Sequence, residues 1–429
     1  MVTYALVSAW TVLCQQLFPV FTQPTAQTFL RLVTGWILCT GRHTITGIIP
    51  FADPKSIRSH DTYHRFFSKG RWEPIRLWER LARLLVRLFY PTGVISLDLD
   101  DTVFHHTGRK MEGASVWRDA VRSTVKKIVY CWGLNLVVVT LRVQPPWGGE
   151  PIGLPILICL HRKGQAGLID LAEAMLRTVA AWFGQRSFRV GADGFYASLA
   201  GRGVLRTHVV SRMRRDAAIY ELPRKKKKGQ RGRTPKKGPR LPTPLELARR
   251  AKTWTRVPTD ERGKVRERLV VAMVVIWYKV SPDPVLLVIS RDPTGKEKDD
   301  FFFTTDVTLI SAEVVGTFAG RWSIEDTFKN TKQFLGAQEP QSWKGPGPER
   351  AAVIGLALYS LVWTWYLKYG YQKSILRRWP WYPAKTNPSF ADARAALRRV
   401  LWQDRIISMF GKRSGHYTKF FIAALEKAA

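Results

Sequence analysis

Acidic side chains close two of the most apolar stretches of this chain. In Val94-Ile95-Ser96-Leu97-Asp98-Leu99-Asp100-Asp101-Thr102, strand alternation puts Val94, Ser96, Asp98 and Asp100 on one side. Ile95, Leu97, Leu99 and Asp101 fall on the other. A carboxylate ending so apolar a strand is costly unless it meets a cation or water. Asp193 ends Ser187-Phe188-Arg189-Val190-Gly191-Ala192 in the same way, just before Gly194. Two such acids at one sheet edge would form an oxygen-donor site for a hard divalent cation. Strand-end aspartates also serve as turn residues and helix caps, so the pair alone leaves both readings open.

A third acid sits in a cationic frame. The periodic stretch from Val314 to Leu335 predicts one helix, on which Phe318, Arg321, Glu325, Lys329 and Lys332 stand at −7, −4, 0, +4 and +7. At roughly 100° per residue all five fall within about 40° of Glu325, as one stripe. Ile324, Phe328 and Leu335 lie beside it and would bury the helix against a sheet, with Glu325 at the edge of a cleft. A solvated face with i,i+4 ion pairs fits the same spacing.

The surrounding elements are those that could hold such residues. The chain has 429 residues, 45% of them hydrophobic, enough for two or three packed units. The segments 94–100, 128–143 and 154–161 read as strands, 167–183 as a crossover helix and 187–193 as a further strand, which implies an α/β core with a mixed sheet. Residues 1 to about 90 carry amphipathic helical spacing. Arg224 to Arg240 holds ten basic residues among Gly and Pro, a composition that cannot bury a core and reads as a mobile loop or linker. Leu269 to Val280, Pro284 to Ser290 and Asp299 to Thr304 read as strands of a small β-rich insertion, and a basic, Trp-rich tail closes the chain.

Lys and Arg number 68 against 33 Asp and Glu, a net charge of +35 that calls for a polyanion. Nucleic acid satisfies this through counterion release, and an anionic membrane surface is the rival. The first residues lack a basic lead and a clean cleavage site, so no signal peptide is read. The apolar run from Ala351 to Leu367 has about the minimum length for a span, but its Trp and Tyr content favours a buried helix. Cys14, Cys39, Cys131 and Cys159 are scattered without CxxC spacing. They read as reduced core cysteines, with neither zinc nor disulfide indicated.

Asp100-Asp101-Thr102, Gly191-Ala192-Asp193-Gly194 and Arg321-Trp322-Ser323-Ile324-Glu325, with Lys329 and Lys332, resemble the DDE transposases of bacterial insertion sequences. The third motif is similar to that family's Tyr, Arg, Glu, Lys signature. The likeness runs in outline from Thr62-Tyr63-His64-Arg65-Phe66 to Gly336. It implies an α/β, RNase H-like mixed-sheet core with a β-rich insertion between Asp193 and Glu325, which lie 132 residues apart, flanked by helical N- and C-terminal regions. The corresponding division is 1–90 helical and DNA-binding, 91–212 first part of the core, 213–306 basic linker and insertion, 307–370 second part with the Glu helix, and 371–429 basic and helical.

The resemblance further implies that Asp100, Asp193 and Glu325 are catalytic and bind two Mg2+ (or Mn2+) ions, and that Arg321, Lys329 and Lys332 hold DNA phosphates. The expected partners are terminal inverted repeats and target DNA, met by a homodimer in the cytoplasm, associated with the nucleoid and without a membrane. Phe318 stands where the signature has Tyr, so that hydroxyl contact is not carried over. Asp101 is the alternative first ligand, and Asp98 reads as a supporting acid. His105 and His106 follow the first acid closely, where a histidine without a partner is commonly incidental. Trp254 and Trp277 lie in the insertion, where an aromatic could stack on a flipped base.

Overall fold

The structure is a computed structural model that describes residues 2–119, 121–224, 233, 235–373 and 382–410. Most of the basic segment between Arg224 and Arg240, and the tail beyond residue 410, lie outside the described residues.

Five helices precede the first strand: α1 (Val2–Gln15), α2 (Gln23–Leu38), α3 (Ile45–Ala52), α4 (His60–Ser68) and α5 (Pro74–Phe89). Proline opens α5, where its missing N–H costs nothing. Leu77, Trp78, Leu81, Leu84 and Leu85 of α5 are buried, and Arg76, Arg80, Arg83 and Arg87 line its exposed side. That division follows directly from the helical period.

Ten strands follow: β1 (Ile95–His105), β2 (Ser115–Arg118), β3 (Tyr130–Val143), β4 (Ile152–His161), β5 (Phe188–Ala192), β6 (Thr207–Arg212), β7 (Thr255–Glu261), β8 (Lys264–Ile276), β9 (Pro284–Arg291) and β10 (Asp300–Thr304). They form one sheet in the order β2-β3-β1-β5-β6-β10-β9-β8-β7, with β4 also paired to β3. β1 is antiparallel to β3, parallel to β5, and β5 is parallel to β6. The crossover from β4 to β5 is α6 (Leu168–Trp182). This is a mixed α/β architecture around a central mixed sheet, flanked by N- and C-terminal helices and consistent with an RNase H-like core. Strands β7 to β10 continue that same sheet through the antiparallel β6–β10 pairing rather than folding as a sheet of their own.

Several short elements escape the sequence reading, among them β2, β6, β7 and α7 (Pro244–Arg250), whose Thr243 and Glu246 form a reciprocal cap. The expected single helix from Val314 to Leu335 is two, α8 (Ser311–Gly320) and α9 (Ser323–Leu335). Across Arg321 and Trp322 the backbone bonds tighten to i→i−3, as in Trp322 N to Ala319 O and Glu325 N to Trp322 O, a short 3-10 turn. The five-residue stripe therefore does not lie on one continuous cylinder.

α10 (Gly347–Trp365) is long and apolar enough to cross a membrane by composition, yet every residue from Ala351 to Trp365 is buried within the protein. It packs on β4, and Ser360 Oγ donates to the Pro155 carbonyl at 2.9 Å. α11 (Phe390–Phe410) returns to the N-terminal helices. Its buried Arg398 donates to the carbonyls of Ile37 and Cys39 at the end of α2, satisfying acceptors that the helix itself leaves open. One hydrophobic cluster spans the N-terminal helices, the β1–β5 half of the sheet, α9, α10 and α11. Two smaller clusters cover the β7–β10 half.

Candidate active site

Strand alternation sends Asp98, Asp100 and Thr102 to the face of β1 that α9 covers. Asp98 is wholly buried: Arg142 Nε donates to it at 3.0 Å, Arg142 Nη2 donates to its second oxygen, and Ser323 Oγ donates at 3.0 Å. This acid ties β1 to β3 and to the first turn of α9, two residues before Glu325. It is a supporting group with no lone pair left facing an open site.

Asp100 accepts from Arg321 Nη1 at 2.9 Å, and the other arm of the guanidinium, Nη2, donates to Glu325 Oε1 at 3.0 Å. One cation thus bridges acids from β1 and α9. Asp193, directly after β5, caps the 3-10 turn Gly194–Gly201, its Oδ1 accepting from the N–H groups of Phe195 and Tyr196 at 2.9 and 3.3 Å. The cap role open to a strand-end aspartate is real here. Its charge also reaches the neighbouring acids. Burial pushes the Asp100 carboxyl up to about 7, with Asp193 and Asp101 adding to the rise and Arg321 opposing it. Asp101 lies on the opposite face, where its Oδ1 accepts from Tyr196 Oη at 2.9 Å. Burial and Asp193 raise it as well.

The stripe divides at this site. Arg321 is buried between the two acids, with the Phe318 ring 5.5 Å from its guanidinium. Phe318 in turn packs on Phe302 with ring centroids 4.8 Å apart, so its ring supports the arginine. Lys332 Nζ donates to Thr102 Oγ1 at 2.8 Å and is lowered by burial; it lies along β1, not in open solvent. Lys329, one turn beyond Glu325, is exposed beside Asp326 on a hollow with Arg262 and Trp147. The structure therefore joins Asp100, Arg321 and Glu325 and sets Asp193 within electrostatic reach of Asp100, and it leaves Lys329 exposed.

Each insertion tryptophan already has a partner on its ring. Trp277 is buried edge-on to Phe303 at 5.2 Å, and the Arg291 guanidinium sits 4.0 Å over Trp254. His105 has a partner after all, with Nε2 3.3 Å from Asp119 Oδ2, and Cys131 lies beside them. The ligand atoms of His105, Asp119 and Cys131 lie within 4.8 Å of one another. Sequence spacing does not reveal this group, because it depends on β2, a strand without a legible pattern.

The donors at Asp100, Asp193 and Glu325 are all carboxylate oxygens, and burial, with the Asp193 and Asp101 charges added, raises Asp100. Both properties suit a hard divalent cation such as Mg2+. Residues 16–142 and 162–272, more than half of the sequence, match the DDE superfamily endonucleases. The chain belongs to that family. No curated protein matches it. Both aspartates of this DDE-family chain fall in the matched residues and Glu325 falls beyond them, so the glutamate rests on the contact through Arg321. Family membership supports a nuclease-type activity in general.

Proposed function

We propose that this chain is a DNA transposase of the insertion-sequence kind, with an RNase H-like core into which residues 213–306 are inserted, and with Asp100, Asp193 and Glu325 as its catalytic carboxylates. The observation that carries the reading is the Arg321 guanidinium shared by Asp100 and Glu325. Two acids 225 residues apart in sequence share that guanidinium, and the charge of Asp193 reaches Asp100.

The three carboxylates would hold two Mg2+ (or Mn2+) ions, which supply an activated water or 3′-hydroxyl and stabilise the leaving alkoxide. Arg321, once freed from the acids, presents a planar two-pronged donor suited to a phosphate near the scissile bond. Asp98 and Arg142 keep Ser323, and with it the start of α9, against β1. Lys329 and the exposed arginines of α5, Arg76, Arg80, Arg83 and Arg87, supply cations for phosphates farther along the DNA, which position it without reading bases. In this reading residues 1–90 add DNA-binding surface, and two copies act together on paired element ends.

The test is to incubate the purified chain with its flanking DNA and Mg2+. Cleavage at terminal inverted repeats followed by joining to a target is expected. Asp193→Asn and Glu325→Gln should abolish both steps and leave binding in a gel-shift assay nearly intact. Cleavage without joining would identify a nuclease or resolvase instead, and undiminished cleavage by either variant would remove these acids from the mechanism.

A further inference from the structure

The three outer strands bring a second set of ligands together, away from the carboxylates above. His105 ends β1 opposite Gly133 of β3, Trp117 of β2 lies opposite Cys131, and the Asp119 N–H bonds to the Val129 carbonyl at 2.8 Å. By alternation these partners put the side chains of His105, Asp119 and Cys131 on one face of the sheet. Asp100, five residues before His105, projects from the other face. Gly133 lets β3 pass close to β1 here, since a Cβ there would stand 2.0 Å from the Phe104 carbonyl.

We propose that His105, Asp119 and Cys131 form a zinc site separate from the Asp100, Asp193 and Glu325 centre, with its fourth position open to water. Imidazole, thiolate and carboxylate together select a borderline metal such as Zn2+ over Mg2+, which prefers oxygen alone. The ligand atoms already lie within 4.8 Å of one another, so closing on a metal needs only small side-chain rotations. Asp119 is buried and already aimed, because Oδ1 accepts from the N–H groups of Val121 and Arg122 at 3.1 and 3.0 Å. Outer bonds of this kind orient a metal-binding carboxylate.

Two cations bear on the site. The Arg122 guanidinium donates to Asp119 Oδ2 at 2.7 Å from a largely exposed side chain, free to swing out as a metal takes that oxygen. The Lys332 ammonium lies within electrostatic range of His105, Asp119 and Cys131. A thiol must give up its proton to bind a metal, so binding tightens as pH rises. A metal here would clamp β1, β2 and β3 at the end where β3 passes from β2 to β4.

The experiment loads the full chain with Zn2+, removes excess by desalting and measures metal by elemental analysis. A Co2+-loaded sample is read in parallel for a thiolate-to-metal absorption band. One zinc per chain and a visible band are expected, retained in an Asp100→Asn, Glu325→Gln double variant and not displaced by millimolar Mg2+. Cys131→Ser should lose the band, and His105→Ala and Asp119→Asn should weaken zinc binding at least tenfold. The His105 side chain is half exposed, so His105→Ala will fold, and an unchanged circular dichroism melt without metal checks this. A wild-type protein that desalts free of zinc, or zinc retained undiminished by His105→Ala and Cys131→Ser, overturns the proposal.

Discussion

Removing the Asp98 carboxylate tests how the start of α9 is held. In Asp98→Ala, Arg142 loses both of its acceptors on that acid, and Ser323 Oγ loses its own. The guanidinium is packed closely against two glycine backbones and its side chain is only 12% exposed: a Cβ at Gly191 would stand 2.8 Å from its Nη2 and one at Gly320 would stand 2.7 Å from its Nη1. Breaking a buried ion pair by removing one partner costs about 3–5 kcal/mol, because the other charge is left uncompensated. That is roughly two to three and a half decades in the folding constant. Asp98→Asn keeps an acceptor for Ser323 and should cost less. Asp98→Leu with Arg142→Met replaces both charges by apolar groups and should recover most of the loss. Urea denaturation followed by circular dichroism measures each, with a shifted midpoint and an unchanged slope expected. If Asp98→Ala costs less than about 1 kcal/mol, or the double variant is no better than the single, the pair is not the buried tie described here.

Two further outcomes follow from other parts of the molecule. Burial, reinforced by the charges of Arg394 and Arg398, lowers His43 to about 4, against about 6.5 in the unfolded chain. The Glu339 carboxylate 3.6 Å from its Nδ1 is too distant for a hydrogen bond that would offset this. Below pH 6.5 the unfolded chain takes up a proton that the folded chain refuses. Stability is therefore full above that pH and falls by about 3 kcal/mol in total as pH drops to 4, a slope that His43→Asn should flatten in urea titrations between pH 7 and 4.5. In the basic segment, Ser in place of the ten cations from Arg224 to Arg240 should weaken terminal and unrelated DNA alike. The slope of log affinity against log salt should fall by about 0.9 for each phosphate that the variant no longer neutralises; an unchanged slope would mean that the segment does not touch the backbone.

The elements legible in the sequence are those whose burial leaves a local pattern. β1, β3, β4, β5, β8, β9 and α6 announce themselves as apolar runs or helical periods, and the acids at Asp100 and Asp193 stand out because charge ends an apolar run; Asp193 does follow its strand, but β1 continues past Asp100 to His105, five residues beyond the expected end. β2 is silent, since its half-exposed Ser-Val-Trp-Arg has too little contrast to read as a strand, and the ligands it gathers are silent with it. The break between α8 and α9 leaves no mark either. Its cause is tertiary: Arg321 turns inward to Asp100 and Ser323 to Asp98, and the backbone tightens between them.

The Arg321–Glu325 pair shows where local reasoning stops. At i,i+4 it has the spacing of a surface ion pair, worth a few tenths of a kcal/mol, and nothing in its own helix argues otherwise. What changes its meaning is Asp100, 221 residues earlier, which draws the guanidinium into the protein and makes it common to two acids. Lys329 has the same i,i+4 relation to Glu325 on the other side, and no second acid of β1 meets it; it stays exposed. The helical period therefore marks both cations as neighbours of the glutamate, and only the sheet beneath distinguishes the one that answers the charge of the site from the one that faces solvent.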